Sequence, residues 1–358
     1  MITNQFKLVD RLGTFAQTVG RQPLNLDVGA VLTDLYLRLR YTITTGANAP
    51  IGRQFGQFLQ TIQLLKRIEI MINGQDTVWN IQPWLYACRL TMERHGTLIY
   101  GMENSINMTA NQTTNVDLTL PLHFDLIRGR KRNDCGLDLR GIRAAQLYVT
   151  FGGLNDLFGT PGATVTLSNV QLDVEGAYME QVPAKDRRGN PIIFAVRQLD
   201  EINIPIQGAN NQFTVDIDQR TGVNLISLDA YFDTVTGGVH AGDDSGLLNG
   251  TTFQGDFKLK SGGTYFEISQ ANFVKARARD EYFNVNAVNG QPTDPAGFPT
   301  EITGLYPFDL RYDGKLSTGI PTGALDANLQ LLVNENYVAG TTQLYVQRES
   351  VRPLAVGP

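Results

Sequence analysis

The chain has 358 residues, a formal net charge of −5, 42% hydrophobic and 18% charged residues, and two cysteines, Cys88 and Cys135. That length can bury more than one core. The acidic balance argues against a general nucleic-acid coat, which needs concentrated positive charge. Two thiols make neither a disulfide framework nor a cysteine-based zinc site.

The opening residues lack the basic and apolar regions of a signal peptide, and no apolar run approaches the roughly 18 residues of a membrane-spanning helix. Synthesis in the cytosol is therefore expected. Phe6, Val9, Leu12 and Phe15 recur at threes. This predicts a short amphipathic helix in an N-terminal arm, residues 1–22, weakened by Gly13 and Gly20.

From Leu24 the pattern turns to strands. Leu35, Leu37, Leu39 and Tyr41 share one face of an alternating segment, with Arg38 and Arg40 on the other. That is the signature of a sheet with one wet side. Residues 52–65 instead place Phe55, Phe58, Leu59, Ile62 and Leu65 on one helical stripe, which predicts a helical insert. Ile68, Ile70 and Ile72 lead into Asn73-Gly74, and Val78-Trp79-Asn80-Ile81 returns, as in a hairpin. A second helix is expected from Trp84 to Met92, just after Pro83. Strands are expected at 97–101, 105–109, 115–126, 144–151 and 165–178.

Residues 183–191 are bounded by prolines and carry Lys185, Asp186, Arg187 and Arg188. Such a stretch reads as a linker. Beyond it, strands are expected at 201–206, 212–218, 223–235, 253–260, 264–269, 302–311, 327–333 and 341–348. Exposed loops are expected at 236–252 and 286–301.

The halves also echo each other. Phe124-Asp125-Leu126 and Gln146-Leu147-Tyr148-Val149 are matched by Phe308-Asp309-Leu310 and Gln330-Leu331-Leu332-Val333, 184 residues later. The predicted hairpin at 70–81 has a counterpart at 257–268. Eight strands per half, with no strand–turn–helix glycine unit, suit sheets packed face to face. The expected fold is all-β: two tandem eight-stranded antiparallel jelly rolls with short helical insertions. The rolls occupy 23–182 and 192–358.

Residues capable of chemistry are scattered. His95, His123 and His240 lie in separate segments without ligand spacing, and His123 reads as structural. Asp243-Asp244 lacks the further oxygen ligands of a calcium loop. Asp280 and Glu281, placed in a strand, would face opposite sides, and they read as a surface pair. Trp79 reads as core. No catalytic, metal or cofactor residue emerges. The sharpest charge cluster is Arg128, Arg130, Lys131 and Arg132, a candidate for assembly or phosphate contacts. Tyr282, Phe283 and Tyr306 are candidates either to anchor subunit contacts or to cover their own sheet ends.

With its two β modules, the 183–191 connection, the paired motifs and the insert near 52–65, the chain resembles the double jelly-roll major capsid proteins of tailless icosahedral viruses, bacteriophages among them. The resemblance covers nearly the whole length. It implies a non-enzymatic protein that forms homotrimers of pseudo-hexagonal outline and meets neighbouring capsomers and penton or minor capsid proteins. It also implies a place in the virion capsid after synthesis in the host cytoplasm. The low net charge fits a shell separated from its genome by an internal membrane, and direct nucleic-acid contact stays open. Two other readings also stay open. One is a glycan-processing enzyme resembling peptide–N-glycanases, with acidic groups between its domains. The other is a carbohydrate-binding protein with exposed aromatic residues or a calcium site.

Overall fold

In the computed structural model the first half contributes β1 (Phe6–Ala16), β2 (Arg21–Asn25), β3 (Val31–Thr44), β4 (Leu65–Ile72), β5 (Asp76–Ile81), β6 (Thr113–His123), β7 (Leu137–Asp138), β8 (Ala145–Phe151) and β9 (Thr166–Glu180). The second contributes β10 (Ala195–Pro205), β11 (Gln212–Ile217), β12 (Asn224–Thr236), β13 (Val239–Gly242), β14 (Asp256–Ser261), β15 (Thr264–Gln270), β16 (Leu305–Asp309), β17 (Ile320–Pro321), β18 (Leu329–Asn334) and β19 (Thr342–Pro353). The structure describes residues 6–17, 20–52, 57–94, 96–124, 136–162, 164–180, 182, 188–189, 194–206, 212–217, 220–237, 239–248, 255–282, 302–311, 319–335 and 342–353.

Each half makes two four-stranded layers. In the first, β1-β9-β3-β6 faces β2-β8-β4-β5, and in the second, β10-β19-β12-β16 faces β11-β18-β14-β15. Taken in chain order, the eight strands of one half match the eight of the other. The short strands β7 and β17 lie beside β3 and β12 in turn. A helix follows the fifth strand both times: α2 (Pro83–Glu93) after β5, and α4 (Ala271–Tyr282) after β15. The duplication seen in two short sequence patterns is therefore a duplication of topology, and each half is a jelly roll.

Alternation decides which side chains fill each core. Leu35, Leu37, Leu39 and Tyr41 of β3 are buried with Ile68, Ile70, Leu147 and Val149 from the facing sheet. In the second roll, Leu228, Ala230 and Phe232 meet Phe257, Leu259, Leu331 and Val333. Of the repeated motifs, the second halves occupy equivalent strands, while Asp125 and Leu126 lie outside the described residues. The glutamine-led runs lie in β8 and β18. Phe124 packs on Trp79 at 4.9 Å between ring centroids, and Phe308 packs on Phe257 at 5.1 Å. At the first hairpin, Asn73 and Gly74 have φ of 52° and 70°, the left-handed pair that a tight two-residue turn requires.

The two rolls also share a sheet. β10 pairs with β5 in parallel, matching Leu199 with Trp79 and Asp200 with Asn80. This joins layers of both halves into one ten-stranded sheet running β13-β12-β19-β10-β5-β4-β8-β2.

Several expectations need correction. Residues 6–16 form strand β1, paired with β9, not a helix. A bulge between Arg11 and Gly13 breaks the period of two, so Leu12 and Phe15, three apart, both reach the core. The insert within 52–65 shrinks to α1 (Gln57–Gln60) and a 3-10 turn over Thr61–Leu64, with Phe55 outside the described residues. Segments 97–101 and 105–109 are turns and coil. The expected loop at 236–252 contains β13 and buried Leu247, while 286–301 lies outside the described residues. Asp280 and Glu281 lie on helix α4, not in a strand, and Ala271, Val274, Ala278 and Tyr282 form the buried stripe of that helix. Of the linker, Arg188 and Gly189 are described, and both are exposed.

If the rolls are equivalent, matched core truncations should cost alike. Leu147→Ala and Leu331→Ala are each expected to destabilise the protein by about 2–5 kcal/mol. Urea unfolding followed by circular dichroism measures this.

Candidate assembly surfaces

Helix α2 begins at Pro83, where the missing N–H costs nothing, and ten of its eleven residues are buried. A helix buried on all sides must lie between layers, and α2 lies between the two rolls. Its Trp84 meets Tyr231 of β12 and Tyr345 of β19 edge-on, at 5.0 and 5.2 Å. Such aromatic pairs contribute roughly 0.5–1.5 kcal/mol beyond their burial.

One turn further on, α2 delivers a charge into this junction. Arg89 donates from Nη1 to Asp229 Oδ2 at 2.9 Å and from Nη2 to Ser227 Oγ at 2.8 Å. It also donates from Nη2 to Glu349 and from Nε to Glu93 of its own helix. Arg197 of β10 reaches the other oxygen of Glu349 and donates from Nη1 to the His123 carbonyl at 2.9 Å. The indole N–H of Trp79 donates to the Arg197 carbonyl at 2.9 Å. Arg89, Arg197, Glu93, Asp229 and Glu349 are all 1–2% exposed. Two guanidinium groups and three carboxyl groups from both rolls thus form one dry cluster. Burial, followed by the charge of Asp229, pushes the neighbouring Cys88 thiol well above its ordinary range.

A second contact fixes the start of α2. The Gln82 N–H donates to both carboxyl oxygens of Glu201 in β10, at 2.8 and 2.9 Å, and Gln347 Nε2 adds a bond at 3.1 Å. Burial pushes this carboxyl up to about 8, against the Gln82 and Gln347 bonds and the Arg67 charge, which lower it.

The outer face of β1-β9-β3-β6 is different. A groove of about 490 Å³ opens there, lined by Arg11, Tyr36, Arg38, Arg40, Tyr100 and Asp173 among others. Arg38 grips Asp117 with two bonds of 2.9 and 2.6 Å. These bonds hold the Asp117 carboxyl below its ordinary range. Asp173 takes bonds from Arg40, from Arg11 at 3.0 Å and from Thr14 at 2.7 Å. Burial works to raise its pKa, but these bonds and charges leave it below the ordinary value. Arg11 and Arg40 share Asp173 and Arg38 holds Asp117, and Glu175 also lines the groove, so it is a polar contact surface in which carboxylates accompany every cation.

Exposed apolar side chains concentrate elsewhere. Tyr265 (52%), Phe266 (38%) and Ile268 (60%) lie on β15, and Phe273 (60%) lies on the first turn of α4. Among the described residues β15 ends its sheet, so these side chains lie beside a strand edge that no described strand pairs with.

The residues singled out in the sequence fall as follows. Arg128, Arg130, Lys131, Arg132, Phe283 and His95 lie outside the described residues. Tyr306 is fully buried in the second core, with its ring against Phe232 and Phe257 and its hydroxyl donating to Asp244 at 2.8 Å. Tyr282 is buried at the end of α4. Both therefore cover the inside of their own subunit. His123 Nδ1 faces Asp34 Oδ1 at 2.7 Å, and Nε2 faces Arg94 Nη2 at 3.2 Å. Because a guanidinium cannot accept, Nε2 accepts and Nδ1 donates, a structural role. Asp243 and Asp244 serve the chain itself: Asp243 accepts from Thr234 and Ser245, and Asp244 from Gly304, Tyr306 and Lys275. Asp280 and Glu281 are exposed on α4. Among the described residues no group of three His, Cys, Asp or Glu side chains could hold a metal ion.

Sequence reasoning missed the dry charge cluster. A signal was present: Arg89 is the one cation in an otherwise apolar helix pattern, and Arg197 and Glu349 interrupt strand patterns. Nothing in the sequence says that they meet.

No family model and no curated protein sequence matches the chain. Solved structures do. The chain is similar to the STIV MCP, at 12% identity over 97% of each chain with a TM-score of 0.68. It is similar to the PBCV-1 virus capsid, at 12% identity over 99% of this chain and 96% of that one, with a TM-score of 0.58. It is also similar to the major capsid protein P2 of bacteriophage PM2, at 8% identity over 98% of each, with a TM-score of 0.55. The shared feature is the fold, end to end: a double jelly roll.

Two predictions test the junction. Arg89→Met leaves Asp229 and Glu349 short of their guanidinium and is expected to cost about 3–5 kcal/mol in urea unfolding. The second concerns Glu201, whose folded pKa is raised, so the folded state holds a proton that the unfolded state releases. Its contribution is complete below the ordinary glutamate range and is lost as pH rises towards about 8. The Glu201→Gln variant is expected to show a flatter fall in urea midpoint across that window than the parent chain.

Proposed function

We propose that the chain is the major capsid protein of a tailless icosahedral virus, acting as a homotrimer whose six jelly rolls form a pseudo-hexagonal capsomer. One observation carries this reading: two topologically equivalent rolls are locked into one subunit by a continuous sheet and a dry charge cluster, over the whole length shared with capsid structures. A shell tile needs a rigid outline and broad side surfaces, and it needs no reactive centre.

The geometry supports each part of that role. The cluster of Arg89, Arg197, Glu93, Asp229 and Glu349 holds one roll against the other. The outer face around Arg38 and Arg40 and the edge at β15 give it lateral surfaces of different character, one polar and one apolar. Three such subunits would repeat these contacts by symmetry, and obligate interfaces of this kind bury about 2,000–5,000 Å². Carboxylates between the rolls, the feature a glycan-processing site would use, are enclosed and paired with arginine.

On this reading the protein's partners are two further copies, neighbouring capsomers and penton or minor capsid proteins, and the low net charge is compatible with an internal membrane between shell and genome. Its place is the virion capsid after synthesis in the host cytoplasm. The cations Arg128, Arg130, Lys131 and Arg132 then serve assembly or phosphate contact.

Purified protein is expected to run at the mass of three 39.5 kDa chains and to show hexagonal outlines by electron microscopy. A strictly monomeric species at every concentration, with no shell in the native source, would overturn the proposal. Neutralising the four cations together separates their two roles, when trimer formation and nucleic-acid binding are measured at several salt concentrations. Unchanged nucleic-acid binding removes the phosphate role.

A further inference from the structure

Inside the subunit, the edge of one roll is closed by the next. β5 ends the first roll's layer, and β10, the opening strand of the second roll, pairs with it in parallel. Topological equivalence gives each partner a counterpart. β15 corresponds to β5, and β1 corresponds to β10. Both counterparts end their sheets. Among the described residues the subunit thus uses one copy of this junction and leaves the two halves of a second copy open.

We propose that β15 of one subunit receives the first half of β1, residues 6–10, from a neighbouring copy, in parallel, repeating the β5–β10 junction between subunits. This rests on the capsomer reading and assigns the contact that would build it.

The ladders locate the contact. Ile70 lies opposite both Leu147 and Trp79, and Leu259 lies opposite both Leu331 and Glu267. Since Leu147 and Leu331 occupy the same place in the repeated motif, Glu267 stands where Trp79 stands and Ile268 where Asn80 stands. Trp79 and Asn80 are the residues that β10 pairs with. On the donor side, Leu199 and Asp200 precede Ile202 and Ile204, which pack on the second core. In β1 the stretch preceding the core-packing Leu12 and Phe15 is residues 6–10.

The receiving edge also has the surface of an unfinished contact. Ile268 is 60% exposed and Tyr265 52% exposed on this seven-residue strand, and Phe273, 60% exposed, follows on the first turn of α4. A strand edge that is both unpaired and apolar is a pairing site that soluble proteins otherwise blunt with charge or cover. The occupant is a second copy, because the complementary strand is one this chain already carries and already uses in equivalent form. Donor and receiver are different surfaces, so the contact is head-to-tail and closes into a ring when the rotation allows. Three doubled subunits then give six junctions, alternating within and between chains.

The test uses the full chain. In one arm, Tyr265→Lys with Ile268→Lys is compared with the parent by light scattering and thermal melting. In the other, Asp10→Cys with Ile268→Cys, the pair that this register places side by side, is oxidised beside each single variant. The parent is expected to be trimeric. The lysine variant should keep its fold and need at least about tenfold higher concentration for half assembly, the effect of losing one anchor. The cysteine pair should give covalent dimers and trimers that the single variants do not. Trimers unaffected by the lysines, with no cross-link, would overturn this junction and leave the capsomer reading standing. A monomeric parent would overturn both. If the lysine variant unfolds, hydrogen exchange of the parent decides: residues 6–10 and β15 should be slowed in the trimer relative to dilute monomer, and equal exchange would sink the proposal.

Discussion

Two arginines and three acidic side chains, each 1–2% exposed, set the terms for the rest of this molecule. Buried charges persist only where opposite charges and hydrogen bonds replace the lost hydration. Arg89 meets that condition with Nε, Nη1 and Nη2 all engaged, and its partners come from α2, β12 and β19. Arg197 brings in β10 and the end of β6. A shift of either roll would leave a charge unpaired in a dry place. An apolar interface of the same size would tolerate sliding; this one has a single register.

That fixed register explains how α2 can be buried on every side. It also explains why the space between the rolls is closed to a substrate. Carboxyl groups gathered between two β domains suggest catalysis when seen as a list. Their burial and their pairing with guanidinium groups make them a structural joint. The continuous sheet through β5 and β10 adds direction to the joint, because the two strands pair in parallel. The pairing spans only two residue pairs, so side chains around α2 supply most of the hold.

Much of the fold was legible from local pattern. The alternation of Leu35 to Tyr41 marked a half-buried strand, Asn73-Gly74 marked a hairpin, and Pro83 marked the start of a helix. Each of these signals is decided by neighbours a few residues away. Errors arose where a distant partner set the outcome. The threefold spacing of Phe6 to Phe15 looked helical, but pairing with β9 and one bulge made it a strand. Lys275 and Arg277 masked the apolar stripe of α4, because Lys275 turns inward to reach Asp244 and the Ile302 carbonyl. For Tyr306 the sequence left subunit contact and cover of its own sheet equally open, and only a distant partner, Asp244, which receives its hydroxyl inside the second core, shows its place in the subunit.

The sequence by itself determined the class of the protein: two similar halves, antiparallel strands of period two, and few groups suited to chemistry. These follow from side-chain alternation and turn residues, which act over short range. Only the tertiary structure decided how the halves join, which charges share one dry site, and which strand edges stay open. Those properties depend on residues such as Arg89 and Glu349, 260 positions apart, meeting in space. No local pattern encodes such a meeting, because the cost of burying each charge is offset only by the other.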